Sequence, residues 1–116
     1  MIIWFNVPEA MNYLNQFGEV YTLRDHKKEN GIAHLMTSLS GRPFYKGKVR
    51  IRFECELEWI DGDYIVVRDS YSSLEATHKA LSKYAKKSGF INWHEWLAHI
   101  KGTPLTLYLY YVERIN

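Results

Sequence analysis

Eight Lys and Arg side chains fall between residues 24 and 52, Arg24, Lys27, Lys28, Arg42, Lys46, Lys48, Arg50 and Arg52, and His26 joins them as a candidate. Tyr21, Phe44 and Tyr45 are interleaved with them. Cationic groups on one surface neutralise phosphates and release their counterions. Aromatic faces among them offer places for unpaired bases to stack. The combination points to RNA or another single-stranded nucleic acid; the alternative is a solvated surface whose charges pair with Glu and Asp across strands. Thr22 and Arg24 are two apart on an expected strand and share one face. The planar fork of Arg24 fits a phosphate or a carboxylate, and the competing reading pairs it with Asp25 or Glu19. Were the protein an enzyme, Thr22, Arg24 and Glu19 are the catalytic candidates, Glu19 as a general base if desolvation raised its pKa.

Other chemistries are excluded. In His94-Glu95-Trp96-Leu97-Ala98-His99 the histidines are five apart, about 140° around a helix, and do not share the face that a zinc-protease motif needs. His26, His34 and His78 show no ligand spacing, so neither a metal nor a cofactor is expected. The lone Cys55 lies on an apolar strand face and reads as a small buried hydrophobe. Trp93, Trp96 and Tyr84 read as core aromatics. Lys79, Lys83, Lys86 and Lys87 share one helix face and read as solvated.

The elements that must carry these residues follow from periodicity. The 116 residues make one domain, 1–116, 47% hydrophobic and 16% aromatic. A strand over 2–5 leads to Pro8, which opens a helix ending at Gly18. A second strand covers 19–24, a turn 25–31, a strand 32–36 and a loop 37–43. Residues 48–59 alternate Val49, Ile51, Phe53, Cys55, Leu57 and Trp59 with charged side chains, a strand with one buried face. Asp61-Gly62-Asp63 turns it back through 64–68. A helix is expected over 73–88, a second, capped by Asn92, over 93–101, and a closing strand over 105–114. The net charge of +2 conceals a segregation: residues 24–52 sum to +6 and residues 53–75 to −6. With no signal-like N-terminus and no apolar run of membrane-spanning length, a cytoplasmic protein without membrane contact is expected.

The element order, together with Gly18-Glu19-Val20-Tyr21-Thr22-Leu23-Arg24-Asp25, Tyr84-Ala85-Lys86-Lys87-Ser88-Gly89-Phe90 with Trp93-His94-Glu95-Trp96-Leu97, and the closing strand Leu105 to Ile115, resembles the ASCH family of the PUA-like superfamily. The resemblance implies an α+β fold: a small β-barrel of about five or six mixed strands flanked by two or three helices, with a cleft beside the 19–24 strand. It also implies RNA binding. Some bacterial members hydrolyse modified nucleosides such as N4-acetylcytidine, and ribonuclease activity occurs in the family. The hydrolases use a lysine, a threonine and a glutamate. Thr22 and Arg24 match that pattern, whereas Glu19 stands in place of the lysine and Ser88 near the glutamate. A threonine cannot be activated by a nitrogen base where a carboxylate replaces it. Expected partners are therefore RNA or single-stranded nucleic acid. The alternatives are an enzyme acting on RNA or modified nucleosides, and a protein-interaction module, with a homodimer as one form, using opposed charge faces.

Overall fold

Pro8 has no amide hydrogen to lose at the first turn of a helix, and Glu9 suits the positive end of its dipole. In the computed structural model, which describes residues 1–67, 81–100 and 102–115, helix α1 runs Pro8–Phe17 and stops at Gly18 in a left-handed cap (φ 76°). Ala10, Met11 and Leu14 are its buried stripe. Before it lies β1 (Ile2–Trp4) and after it β2 (Glu19–Arg24). The chain continues through β3 (Gly31–Leu39), β4 (Arg42–Ile60), β5 (Asp63–Val67), helical residues 81–86 (α2), α3 (Trp93–Leu97) and β6 (Thr106–Ile115). The fold is α+β: a six-stranded mixed sheet with three helices. Strand order is β1-β3-β4-β6-β2, with β5 on β4; β1 is parallel to β3 and every other pair is antiparallel. The two ends of this path, β1 and β2, do not pair, so the sheet is not closed.

Three expectations are corrected. The loop expected over 37–43 is a hairpin: Thr37, Ser38 and Leu39 continue β3, Ser40 (φ 52°) and Gly41 (φ 78°) turn, and Arg42 starts β4. Two successive positive φ angles are the geometry of a tight hairpin turn. Pro43 is tolerated because Leu39 and Arg42 close the turn. That puts Pro43 opposite Ser38 at a position whose amide is not needed by the ladder. The second helix of the Asn92 cap ends at Leu97, not at 101, although the cap is as expected, Asn92 Oδ1 accepting from the Glu95 amide at 2.9 Å. The expected helix over 73–88 is described only from 81 onward; Lys79, His78 and the strand end at 68 lie outside the described residues.

The third correction concerns the amphipathic strand. Phe53 faces Tyr110 and Cys55 faces Leu109, leaving Glu54 as the extra residue of a bulge. Val49 and Ile51 bury in one cluster with Tyr110, Val112, Val20, Ile3 and helix α1. Cys55 and Leu57 bury in another with Leu107, Leu109, Leu23, Leu81, Phe90, Trp93 and Trp96. On β6 the even residues belong to the first cluster and the odd ones to the second, and β2 divides likewise at Val20 and Leu23. Successive strand residues point to opposite faces, so the two cores sit on opposite faces of the sheet. The apolar stripe read as one buried face changes sides at Glu54. Phe53 and Trp59 are 38% and 37% exposed.

Candidate nucleic-acid interface

Even-numbered β2 residues lie on the face of the first core, so Thr22 and Arg24 point the same way, as their spacing requires. Thr22 is buried and Arg24 is half-buried. Arg24 Nη2 donates to the Trp4 carbonyl at 2.7 Å, and Nε donates to Thr22 Oγ1 at 3.2 Å. Its guanidinium carbon lies 5.0 Å from the centre of the Phe5 ring, a cation–π contact. Burial pushes the Arg24 pKa down to about 10, and Asp25 opposes that shift. The group therefore stays charged at neutral pH. Among the described residues no carboxylate comes within ion-pair distance of it. A guanidinium has five N–H donors, and the described residues occupy two.

Around this cation is a cleft of about 220 Å³ between the β1–α1 connection, β2 and the segment after α2. Trp4, Phe5, Asn6 and Val7 form one wall, Tyr21 to Arg24 the floor, and Phe90, Trp96, His99 and Ile100 the other wall. The aromatic wall is built by contact: Phe90 stacks on Trp96 (6.4 Å, 22°) and lies 5.0 Å from His99. Gly89 allows the approach, since a Cβ there would come within 2.4 Å of the Glu9 carbonyl oxygen. The Tyr21 amide donates outward to the Lys87 carbonyl. Backbone groups two residues on, at Leu23, face the same free edge and open toward the cleft. A second depression, about 200 Å³, shares Phe5, Asn6 and Val7 with the first and reaches Ser38 and Lys46.

The structure separates the expected basic set into four groups. Tyr21, Thr22 and Arg24 line the cleft. His26, Lys27 and Lys28 follow on the β2–β3 loop, where His26 Nε2 lies 3.5 Å from Asp25. Arg42, Tyr45 and Lys46 belong to the projecting β3–β4 hairpin, where Tyr45 packs against His34 with ring centres 5.6 Å apart. Lys48, Arg50 and Arg52 lie on the outward face of β4. Arg50 pairs with Glu113 at 3.2 Å, and Arg52 lies over the Tyr111 ring at 4.9 Å and beside Glu54 at 3.9 Å. Glu19 is on the face opposite Thr22, accepts a hydrogen bond from the Tyr111 hydroxyl, and does not line the cleft. That bond, together with burial, holds the Tyr111 phenol well above its ordinary range. Ser88 is buried and donates to the Tyr84 carbonyl at 2.8 Å. Cys55, Trp93 and Trp96 are buried, as expected. Among the described residues no cluster of His, Cys, Asp or Glu has the makings of a metal site, and no helix is long and apolar enough to cross a membrane.

Trp4, Asn6, Phe90 and His99 are cleft residues that sequence reasoning did not select. The only local signal was the aromatic density of 90–96; that Trp4 and Asn6 join it depends on how the sheet curls. Comparison with family models, with curated proteins and with solved structures found no match for the chain.

Proposed function

We propose that the chain is a PUA-like, ASCH-type barrel that binds RNA or another single-stranded nucleic acid in the cleft between β1 and β2. The observation that carries this reading is Arg24. A half-buried cation loses part of its hydration, which is costly unless something compensates its charge. Arg24 is held by a hydroxyl, a carbonyl and a ring, with donors left over and aromatic walls beside it. A phosphate in the cleft completes that site, and a base stacks on Trp4 or the Phe90–His99 wall. The shared Phe5–Asn6–Val7 boundary leads the strand from Arg24 toward Lys46. The barrel reading is supported by the stagger of the sheet. Trp4 is level with Met36 and, on β4, Tyr45, whereas Arg24 is level with Tyr108 and, on β4, Glu56. Those levels are eleven residues apart on β4, yet Arg24 touches Trp4. Tilted strands accumulate such a stagger around a barrel. Catalysis by Thr22 gains no support, because its hydroxyl already accepts from Arg24 and Glu19 faces away.

The test is fluorescence anisotropy with labelled RNA and DNA single strands across a salt series. Binding is expected to weaken linearly in log–log form. Arg24→Ala should cost roughly tenfold or more in affinity, since a hydrogen bond to a charged group contributes about 1.5–3 kcal/mol. Lys83→Ala, on an exposed helix face, should change little. Absence of binding at low salt overturns the function, and equal losses in the two variants overturn the cleft. RNA and N4-acetylcytidine left intact by the protein would exclude hydrolysis.

A further inference from the structure

The bulge at Glu54 leaves Phe53 at the margin of the first core with its ring 38% exposed. The ring is nonetheless held in place. It meets the wholly buried Tyr110 edge-on, centres 5.8 Å apart and planes at 67°, and the Phe53 amide donates to Asn30 Oδ1 at 2.7 Å. The loop beside it is tied down as well. The Tyr110 hydroxyl accepts from the Lys28 amide and donates to the Lys28 carbonyl at 3.1 Å. Phe53, Asn30, Lys27, Lys28 and Glu29 line a shallow groove of about 510 Å³. Neither lysine is in an ion pair among the described residues.

A fixed, exposed ring that shares its groove with two lysines has the parts that sequence-tolerant single-strand binding uses: a face for a base and charges for phosphates, with Glu29 the one acid in the lining. Its position suits the same strand. Phe53, Tyr110 and Thr22 are side by side on β4, β6 and β2, so at about 4.8 Å per strand the Phe53 and Thr22 backbones lie about 10 Å apart. We propose that the Phe53 groove is a second base-stacking station, with Lys27 and Lys28 as its phosphate contacts, for a single strand anchored at Arg24. This rests on the function proposed above and extends it.

The experiment compares wild type, Phe53→Ala, Phe53→Trp and Lys27→Glu/Lys28→Glu, using a labelled trinucleotide and a labelled decanucleotide. Thermal melts establish that each variant is folded. Phe53→Ala should bind the decanucleotide about tenfold more weakly and the trinucleotide as wild type does. Phe53→Trp should restore decanucleotide binding, and the double lysine variant should flatten the salt slope by about two. Unchanged decanucleotide binding by Phe53→Ala, or equal losses with both lengths, overturns the station while the Arg24 cleft stands. If the wild type binds neither probe, the function itself fails and takes this inference with it.

Discussion

Tyr111 shows how one side chain on the outer sheet face joins two neighbours. Its hydroxyl donates to Glu19 and its ring carries Arg52. Tyr21, whose own phenol is raised chiefly by burial, lies 5.3 Å away. Removing the hydroxyl in Tyr111→Phe removes one hydrogen bond to a charged acceptor. The expected loss is about 1 kcal/mol at neutral pH, because Glu19 is partly solvated and water replaces the lost donor. The folded-state phenol is raised above its ordinary value of about 10, so the stability it contributes is complete below that pH and is lost as pH rises further. Melting curves of wild type and Tyr111→Phe should therefore differ by a constant amount from pH 7 to 9 and converge in stronger alkali. A gap unchanged in strong alkali would mean that the bond to Glu19 does not set the phenol's behaviour. The type and spacing of Thr22 and Arg24 were legible as chemistry in the sequence. Their partners were not: Arg24 bonds to a main-chain carbonyl twenty residues away, which no side-chain pattern encodes.

At the scale of elements, the connection between α2 and α3 depends on one glycine. Gly89 has φ +90° and its Cα lies against the backbone of Glu9. A methyl group there meets a carbonyl that cannot rotate away and also adopts a strained φ. Gly89→Ala should destabilise by at least about 2 kcal/mol, read from urea unfolding. A change below about 0.5 kcal/mol would show that α1 moves freely against this turn. The elements themselves were largely readable. Pro8, Gly18, Asn92 and the Asp61-Gly62 turn are local signals with local causes, and they marked the right boundaries. Apart from the early end of α3, the readings that failed were those where long-range pairing overrides local tendency. Thr37 to Pro43 looks like a loop until β3 and β4 pair across it, and a strict alternation over 48–59 looks like one buried face until a bulge divides it.

For the whole molecule, the open side of the sheet is where the cleft lies. Edge strand β1 has three residues and pairs only with β3. Arg24 reaches it from β2, so one guanidinium both lines the cleft and ties the two sheet edges together. Arg24→Ala should speed hydrogen exchange at the Phe5 and His34 amides, which bond across the β1–β3 edge. The ladder between β4 and β6 should exchange as before. Unaltered Phe5 and His34 amides would mean that β1 is secured by its core contacts alone. The cleft's two walls were hidden from the sequence because Trp4 and Asn6 on one and His99 on the other face each other only through this curl. The bulge at Glu54 has a consequence for how the chain tolerates change in length. Losing one residue from a central strand ordinarily turns every later side chain to the wrong face. The β4 register steps from Phe53 to Cys55 while β6 steps from Tyr110 to Leu109, so a chain lacking Glu54 joins Phe53 to Cys55 as consecutive rungs opposite that pair. Here β4 can shorten with both cores kept, whereas a deletion at Ile51 removes a buried core side chain and turns Arg52 and Phe53 to the opposite faces.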